Sequence, residues 1–102
     1  MLQLRPICEH CAVDLPPEAL EARICSFECT FCRACVEGIL RNVCPNCGGG
    51  FVPRPVRPAH NWNQDHFLGK FPASQDRIHR PVDVGAHEDL VARVCRLSPC
   101  AR

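Results

Sequence analysis

The sequence predicts a small metal-stabilised α+β domain with one short hairpin and one short helix, followed by a Pro-rich, largely irregular C-terminal tail. Three observations carry this expectation. Ten of the 102 residues are cysteine. Eight of them follow the order C-x2-C, thirteen residues, C-x3-C-x2-C-x2-C, eight residues, C-x2-C, which suffices for two four-cysteine metal sites. Beyond Val52 the composition changes abruptly to prolines and arginines. The expected organisation is therefore a two-metal domain over residues 1–52, a Pro-rich arm over 53–82 and a tail with a short helix over 83–102.

Length and charge narrow the function classes. A chain of 102 residues has room for one small domain, not two ordinary cores. The opening MLQLRPICEH lacks the basic-then-apolar pattern of a signal peptide, and no run of eighteen apolar residues exists, so neither export nor membrane insertion is expected. In the reducing cytoplasm, paired cysteines hold metal more often than each other. The formal charge is +1, and eight thiolates with two divalent ions would take it to about −3. Residues 1–50 carry four Arg against six acids, whereas 51–102 carry eight Lys and Arg against five. An acidic metal half is a poor phosphate-backbone binder, and no nucleic-acid partner is expected.

The elements follow in order. Cys8-Glu9-His10-Cys11 has the spacing that turns two sulfurs toward one ion, with His10 expected in solvent. Pro16-Pro17 interrupts any helix and allows at most a helical turn near 17–22. Residues 24–31 read as a short hairpin turning near Phe27 or Glu28. Val36, Ile39 and Leu40 share one face, predicting a helix of about two turns from near Arg33 to near Asn42, with Asn42 as a left-handed stop. Gly38 costs that helix roughly 1 kcal/mol relative to Ala. Cys44-Pro45-Asn46-Cys47-Gly48-Gly49 closes the cysteine set, with glycines to leave the turn. The expected core is Leu15, Ile24, Phe27, Phe31, Val36, Ile39, Leu40 and Val43.

A knuckle, a hairpin and a helix carrying a second cysteine pair in its first turn form a treble-clef arrangement. That arrangement joins Cys8, Cys11, Cys32 and Cys35 as site one and leaves Cys25, Cys29, Cys44 and Cys47 as site two. The helix favours this interleaving: eight residues at ~1.5 Å rise carry the chain ~12 Å from Cys35 before Cys44. Sequential pairing, the first four cysteines and then the last four, is sterically open but asks the chain to double back. Two Zn²⁺ are the expected cofactors. Their binding free energy, ~10–16 kcal/mol per site in comparable peptides, would offset the small core.

The ligand order, Phe31 before the fifth ligand, the short helix and the Cys-Pro-x-Cys close resemble a RING-type zinc domain with cysteine at position 29. More specifically, LRPICEHC, LPPEALEARICSFECTFC and CPNCGG resemble a small bacterial cysteine-rich family classed as a domain of unknown function. The likeness covers residues 1 to about 50, continues weakly through RPVRPAH and FPAS, and does not reach the last twenty residues. It implies two bound zincs and a bacterial cytosolic protein, and it implies no reaction. The RING likeness also raises recruitment of a ubiquitin-conjugating enzyme. Of the positions RING ligases use, only Pro45 matches. Glu9 stands where an aliphatic residue is usual and would be desolvated without a partner, no aromatic lies between Cys35 and Cys44, and Gly48 replaces a cation. Shared fold is weak evidence for shared function.

Redox chemistry is the remaining alternative. The run Cys25 to Cys35 has bacterial-ferredoxin spacings in reversed order, with Val36 where proline belongs. Thiols acting as an oxidation switch stay open, because oxidised zinc thiolates release their ion. A catalytic zinc keeps one coordination position for water, whereas four-cysteine sites are closed, and no hydrolase or phosphate-loop motif is present. No catalytic residue is assigned. In the tail, the Pro53–Pro58 stretch reads as an extended arm, and Trp62, Phe67, Leu68 and Phe71 as an aromatic cluster around a turn of helix that either folds back or meets a partner. Leu90, Val91, Val94 and Leu97 predict a helix within 83–97, capped by Asp83 or Gly85. His60, His66, His79 and His87 are expected on the surface, and Cys95 and Cys100 as exposed, unused thiols. The functional expectation is a non-enzymatic, cytoplasmic zinc module that acts through an unidentified protein partner.

Overall fold

The hairpin forms across the run of closely spaced cysteines, between the first and second halves of the set. In the computed structural model, which describes residues 1–102, β1 (Ala22–Ile24) pairs antiparallel with β2 (Thr30–Cys32), setting Ala22 opposite Cys32 and Ile24 opposite Thr30. The connection is tied by Cys25 N–H to Cys29 O and by Glu28 N–H to Cys25 O, with Glu28 in the left-handed region at φ 66°. A two-residue strand, β3 (Val52–Pro53), adds to the other side of β1 and gives the sheet order β2-β1-β3. Pro53 has no N–H to donate, and an edge strand is where a sheet tolerates that.

Directly from β2 the chain enters α1 (Arg33–Cys35), which widens into a π-helical turn (Val36–Leu40). The expected α-helix to Asn42 is thus shorter and wider. Arg41 N–H reaches back to Val36 O, and Asn42 N–H reaches the same carbonyl at 3.1 Å. Arg41 and Asn42 both take positive φ, so the stop is two left-handed residues rather than Asn42 alone. The wider turn buries Val36 and Leu40 together and swings the chain toward Cys44. A Cβ at Gly38 would meet nothing within 4 Å, so that glycine is not required by packing.

Buried residues centre on Phe31, Leu15, Ala22, Val36, Leu40 and the inward cysteines. Ile24 and Val43 are buried as expected, and Ile39 is half-buried. Phe27 is not in the core: it lies in the Cys25–Cys29 turn, its own N–H faces Cys25 Sγ, and the residue is 72% exposed. Phe51 takes its place, edge-on to Phe31 at 5.6 Å. Leu4 and Ile7, outside the expected core, are both buried.

The tail is irregular over 54–82 as expected, but it is fastened and not a free arm. Arg54 is buried and donates from Nη1 to Arg5 O (2.8 Å) and from Nη2 to Leu15 O (3.2 Å) and Pro16 O (2.9 Å). Arg57 spans Leu2 O and Phe71 O in the same way. Further on, Ser74 N–H bonds Leu4 O and Arg80 N–H bonds Glu9 O, lacing this strip along the N-terminal segment. Around the aromatic cluster the backbone makes turns instead of a helix, with Gln64 and Asp65 at positive φ, and Trp62 is exposed.

The last helix, α2 (Val84–Val94), starts at Asp83, whose carboxylate accepts from Ala86 N–H at 3.2 Å. Its inner face is His87, Leu90, Val91 and Val94, with Leu97 partly exposed beyond the helix end. His87 therefore overturns the expectation of a surface histidine. It is 4% exposed, and its Nε2 lies 3.0 Å from Leu40 O, an arrangement in which Nε2 carries the proton. One ring nitrogen finds a carbonyl, while Nδ1 is buried without a hydrogen-bond partner. No helix is long and apolar enough to cross a membrane.

Arg54→Ala should remove the donors of three carbonyls and cost about 2–3 kcal/mol. A lower denaturation midpoint, with faster amide exchange near residues 52–57, is the expected result, and an unchanged midpoint would contradict the fastening role.

Candidate metal centre

Two of the C-x2-C turns are the same backbone device used twice. At the first, Cys8 N–H bonds Val13 O, Ala12 N–H bonds Cys8 O, and Ala12 sits at φ 63°. At the second, Cys44 N–H bonds Gly49 O, Gly48 N–H bonds Cys44 O, and Gly48 sits at φ 78°. Each loop turns its two thiols to one side. An alanine in the left-handed region carries a penalty of roughly 1–2 kcal/mol that glycine escapes, so the first knuckle holds its shape against a local cost.

The structure brings Cys8, Cys11, Cys32 and Cys35 together, with every sulfur within 4.8 Å of the others and Cys11 Sγ 3.7 Å from Cys32 Sγ. Four thiolates on a tetrahedral ion at about 2.3 Å lie about 3.8 Å apart, so the spacing fits a metal. Cys32 ends β2 and Cys35 lies in α1, so the hairpin and helix deliver one half of the cluster and the first knuckle the other. A second cluster gathers Cys25, Cys44 and Cys47 within the same limit. Cys29, expected as its fourth member, stands outside that limit. Its Sγ instead accepts from Asn46 Nδ2 at 3.3 Å.

Main-chain donors surround these sulfurs. Phe27 N–H reaches Cys25 Sγ at 3.3 Å and Gly49 N–H reaches Cys47 Sγ at 3.4 Å. Such bonds favour the thiolate that a metal needs. Burial pushes the thiols of Cys29, Cys32, Cys35 and Cys44 above the ordinary thiol range in the absence of an ion. At Cys11 burial also pushes up, but the Val13 N–H and the neighbouring thiols outweigh it and the net shift is downward. The sign follows. Raised thiols favour the metal-free fold below their ordinary range and disfavour it as pH climbs. A bound cation reverses this, because it holds thiolates and releases protons, so metal affinity rises with pH.

Three supporting residues differ from their expected roles. Glu9, expected to be a charge without a partner, is 1% exposed and is partnered through Oε2. Its Oε2 accepts from Thr30 N–H at 2.6 Å and pairs with Arg5 Nη1 at 2.8 Å, while its own N–H bonds Thr30 O. It welds the first knuckle to β2, beside site one. Only the i, i+4 spacing from Arg5 hinted at this, and nothing in the sequence pointed to Thr30. Asn46 was likewise missed as a thiol partner. His10 is half-buried and its Nδ1 accepts from Val82 N–H, so it is a tail anchor and not a solvated side chain. Cys95 and Cys100 are exposed and lie outside both clusters.

Glu9→Ala should leave Arg5 and the Thr30 N–H without their shared acceptor and cost about 3 kcal/mol. Glu9→Gln keeps an acceptor and should lose less. Denaturation of the metal-replete variants measures the difference, and equal, negligible losses would contradict the weld.

No solved structure matches the chain significantly. The chain is 54% identical over 81 residues to the uncharacterized protein R02474 of Rhizobium meliloti (strain 1021), covering 79% of this chain and 89% of that relative. The alignable length thus runs beyond the two cysteine clusters into the tail that laces them. Residues 1–57 match the profile described as "Protein of unknown function (DUF1272)", a span that holds all eight clustered or flanking cysteines and ends just past Arg54. With that match and this relative, the chain belongs to the DUF1272 family.

Proposed function

We propose that the protein is a structural zinc module of RING-like, treble-clef build that acts through contacts with another protein and has no catalysis of its own. The observation that carries the reading is the interleaving of the clusters. Cys8 and Cys11 meet Cys32 and Cys35 across the hairpin, while Cys25, from between those pairs, meets Cys44 and Cys47. Closed sets of thiolates suit a tetrahedral, redox-inert ion that holds loops together. In site two, Cys29 supplies the fourth sulfur once an ion draws it from Asn46. A cytoplasmic setting suits ten cysteines that are all free thiols.

Metal analysis of anaerobically purified protein, with its visible spectrum, tests the reading. Close to two zinc per chain and no colour is the expected outcome. Iron with a brown absorbance would overturn zinc and make electron transfer or redox sensing the better account. Acidification should release the metal as protons displace it from sulfur.

Cys32→Ser removes a site-one ligand and should unfold the core, because metal binding and folding are one process in domains this small. Unchanged thermal stability with one metal fewer would show that site one is not structural.

A further inference from the structure

The tail covers the N-terminal strip and the helix, and it leaves a groove over site one uncovered. Val13, Leu15, Ala19, Leu20 and Ala34 line this groove, whose volume is about 310 Å³. Leu15 is its buried floor, whereas Leu20 is 79% exposed and Val13 47%. Leu20 sits on a fixed turn: Ala19 N–H bonds Pro16 O, and Arg23 Nη1 holds Leu20 O at 2.8 Å. An aliphatic side chain held outward by a fixed backbone marks a contact surface more than a fraying loop does.

The charged side chains that line the groove have one sign. They are the carboxylates of Asp14 and Glu21, and Glu18 is exposed on the same turn. Two arginines flank the groove without lining it: Arg23 donates to carbonyls and keeps its charge, and Arg33 pairs with Glu37 while its charge also reaches Glu21. Arg77 approaches Asp14 at 3.5 Å, but both side chains are more than half exposed, and such a pair is worth little. Cys32 of site one also lines the groove, and four thiolates around a divalent ion would add further negative charge below it.

We propose that this groove is the module's docking site and that its occupant is a basic segment of another protein. An aliphatic or aromatic anchor of that segment packs between Val13, Leu20 and Ala34, with Lys or Arg on either side facing Asp14 and Glu21. The assignment rests on the reading of the chain as an interaction module. It adds the face, the anchor and the sign of the partner's charge.

The test is selection of random linear peptides on the metal-replete full chain, followed by affinity measurement of the enriched peptides against the parent, Leu20→Gln and Glu21→Lys. Both substituted side chains are exposed, and unchanged metal content and denaturation midpoint verify each variant. The expected peptides carry an apolar anchor flanked by Lys or Arg. They bind Leu20→Gln at least about tenfold more weakly, bind Glu21→Lys more weakly than the parent, and lose affinity as salt rises. Enriched peptides that bind Leu20→Gln undiminished would overturn the groove while leaving an interaction module in place. No enrichment on any face would overturn both. Self-association of the parent that Leu20→Gln abolishes would make the occupant a second copy and overturn the basic partner.

Discussion

Sulfur atoms from separated stretches of chain must converge on two points, and the rest of this structure depends on that convergence. Cys8 and Cys11 meet Cys32 and Cys35, while the hairpin that delivers Cys32 carries Cys25 on its other arm toward Cys44 and Cys47. Neither cluster can form without constraining the loops of the other, so the domain is braced crosswise although its sheet has only two- and three-residue strands. The apolar contribution is correspondingly small. Phe31 with Phe51, and Leu15, Val36 and Leu40 around the inward cysteines, account for most of it. The same convergence explains the strained backbone: Ala12 and Glu28 take positive φ because the thiols must face inward there.

What was legible in the sequence was what local spacing controls. Two cysteines with two residues between them, a Gly-Gly exit and apolar residues at helical intervals are short-range facts, and the knuckles, the hairpin and α2 stand where they point. Asp83 as the cap of α2 was legible for the same reason. Legibility ended at contacts between distant residues. Phe27 looks like a core residue until the turn around it is seen to face its N–H toward Cys25. His87 looks like a surface residue until its place on the α2 stripe brings Nε2 to Leu40 O. Glu9 looked unpartnered because its second partner is a backbone amide twenty-one positions away. The position of Cys29 against Asn46 had no local signal either.

The Pro-rich segment shows why composition misled. Proline and arginine without periodicity resemble a linker, and in most chains such a stretch cannot bury enough apolar surface to be held. Here the holding is polar. Arg54 and Arg57 span carbonyls of the N-terminal segment, whose own β pairing is a single bridge of Ile7 to Asp14, and the main chain of 74–80 adds further bonds to it. The arm serves the N-terminal strip as an irregular substitute for a neighbouring strand. That exchange is invisible to any window-based reading, because each half is unremarkable alone.

The strip laced by 74–80 also sets an order of events during synthesis. Cys35 leaves the ribosome before Cys44, so the four sulfurs of site one are available while those of site two are still incomplete. The tail that laces the N-terminal strip is made last, so both cysteine clusters exist in the chain before Arg54, Arg80 and α2 can join them. It is the last part able to enter the fold, a late clasp on residues already made.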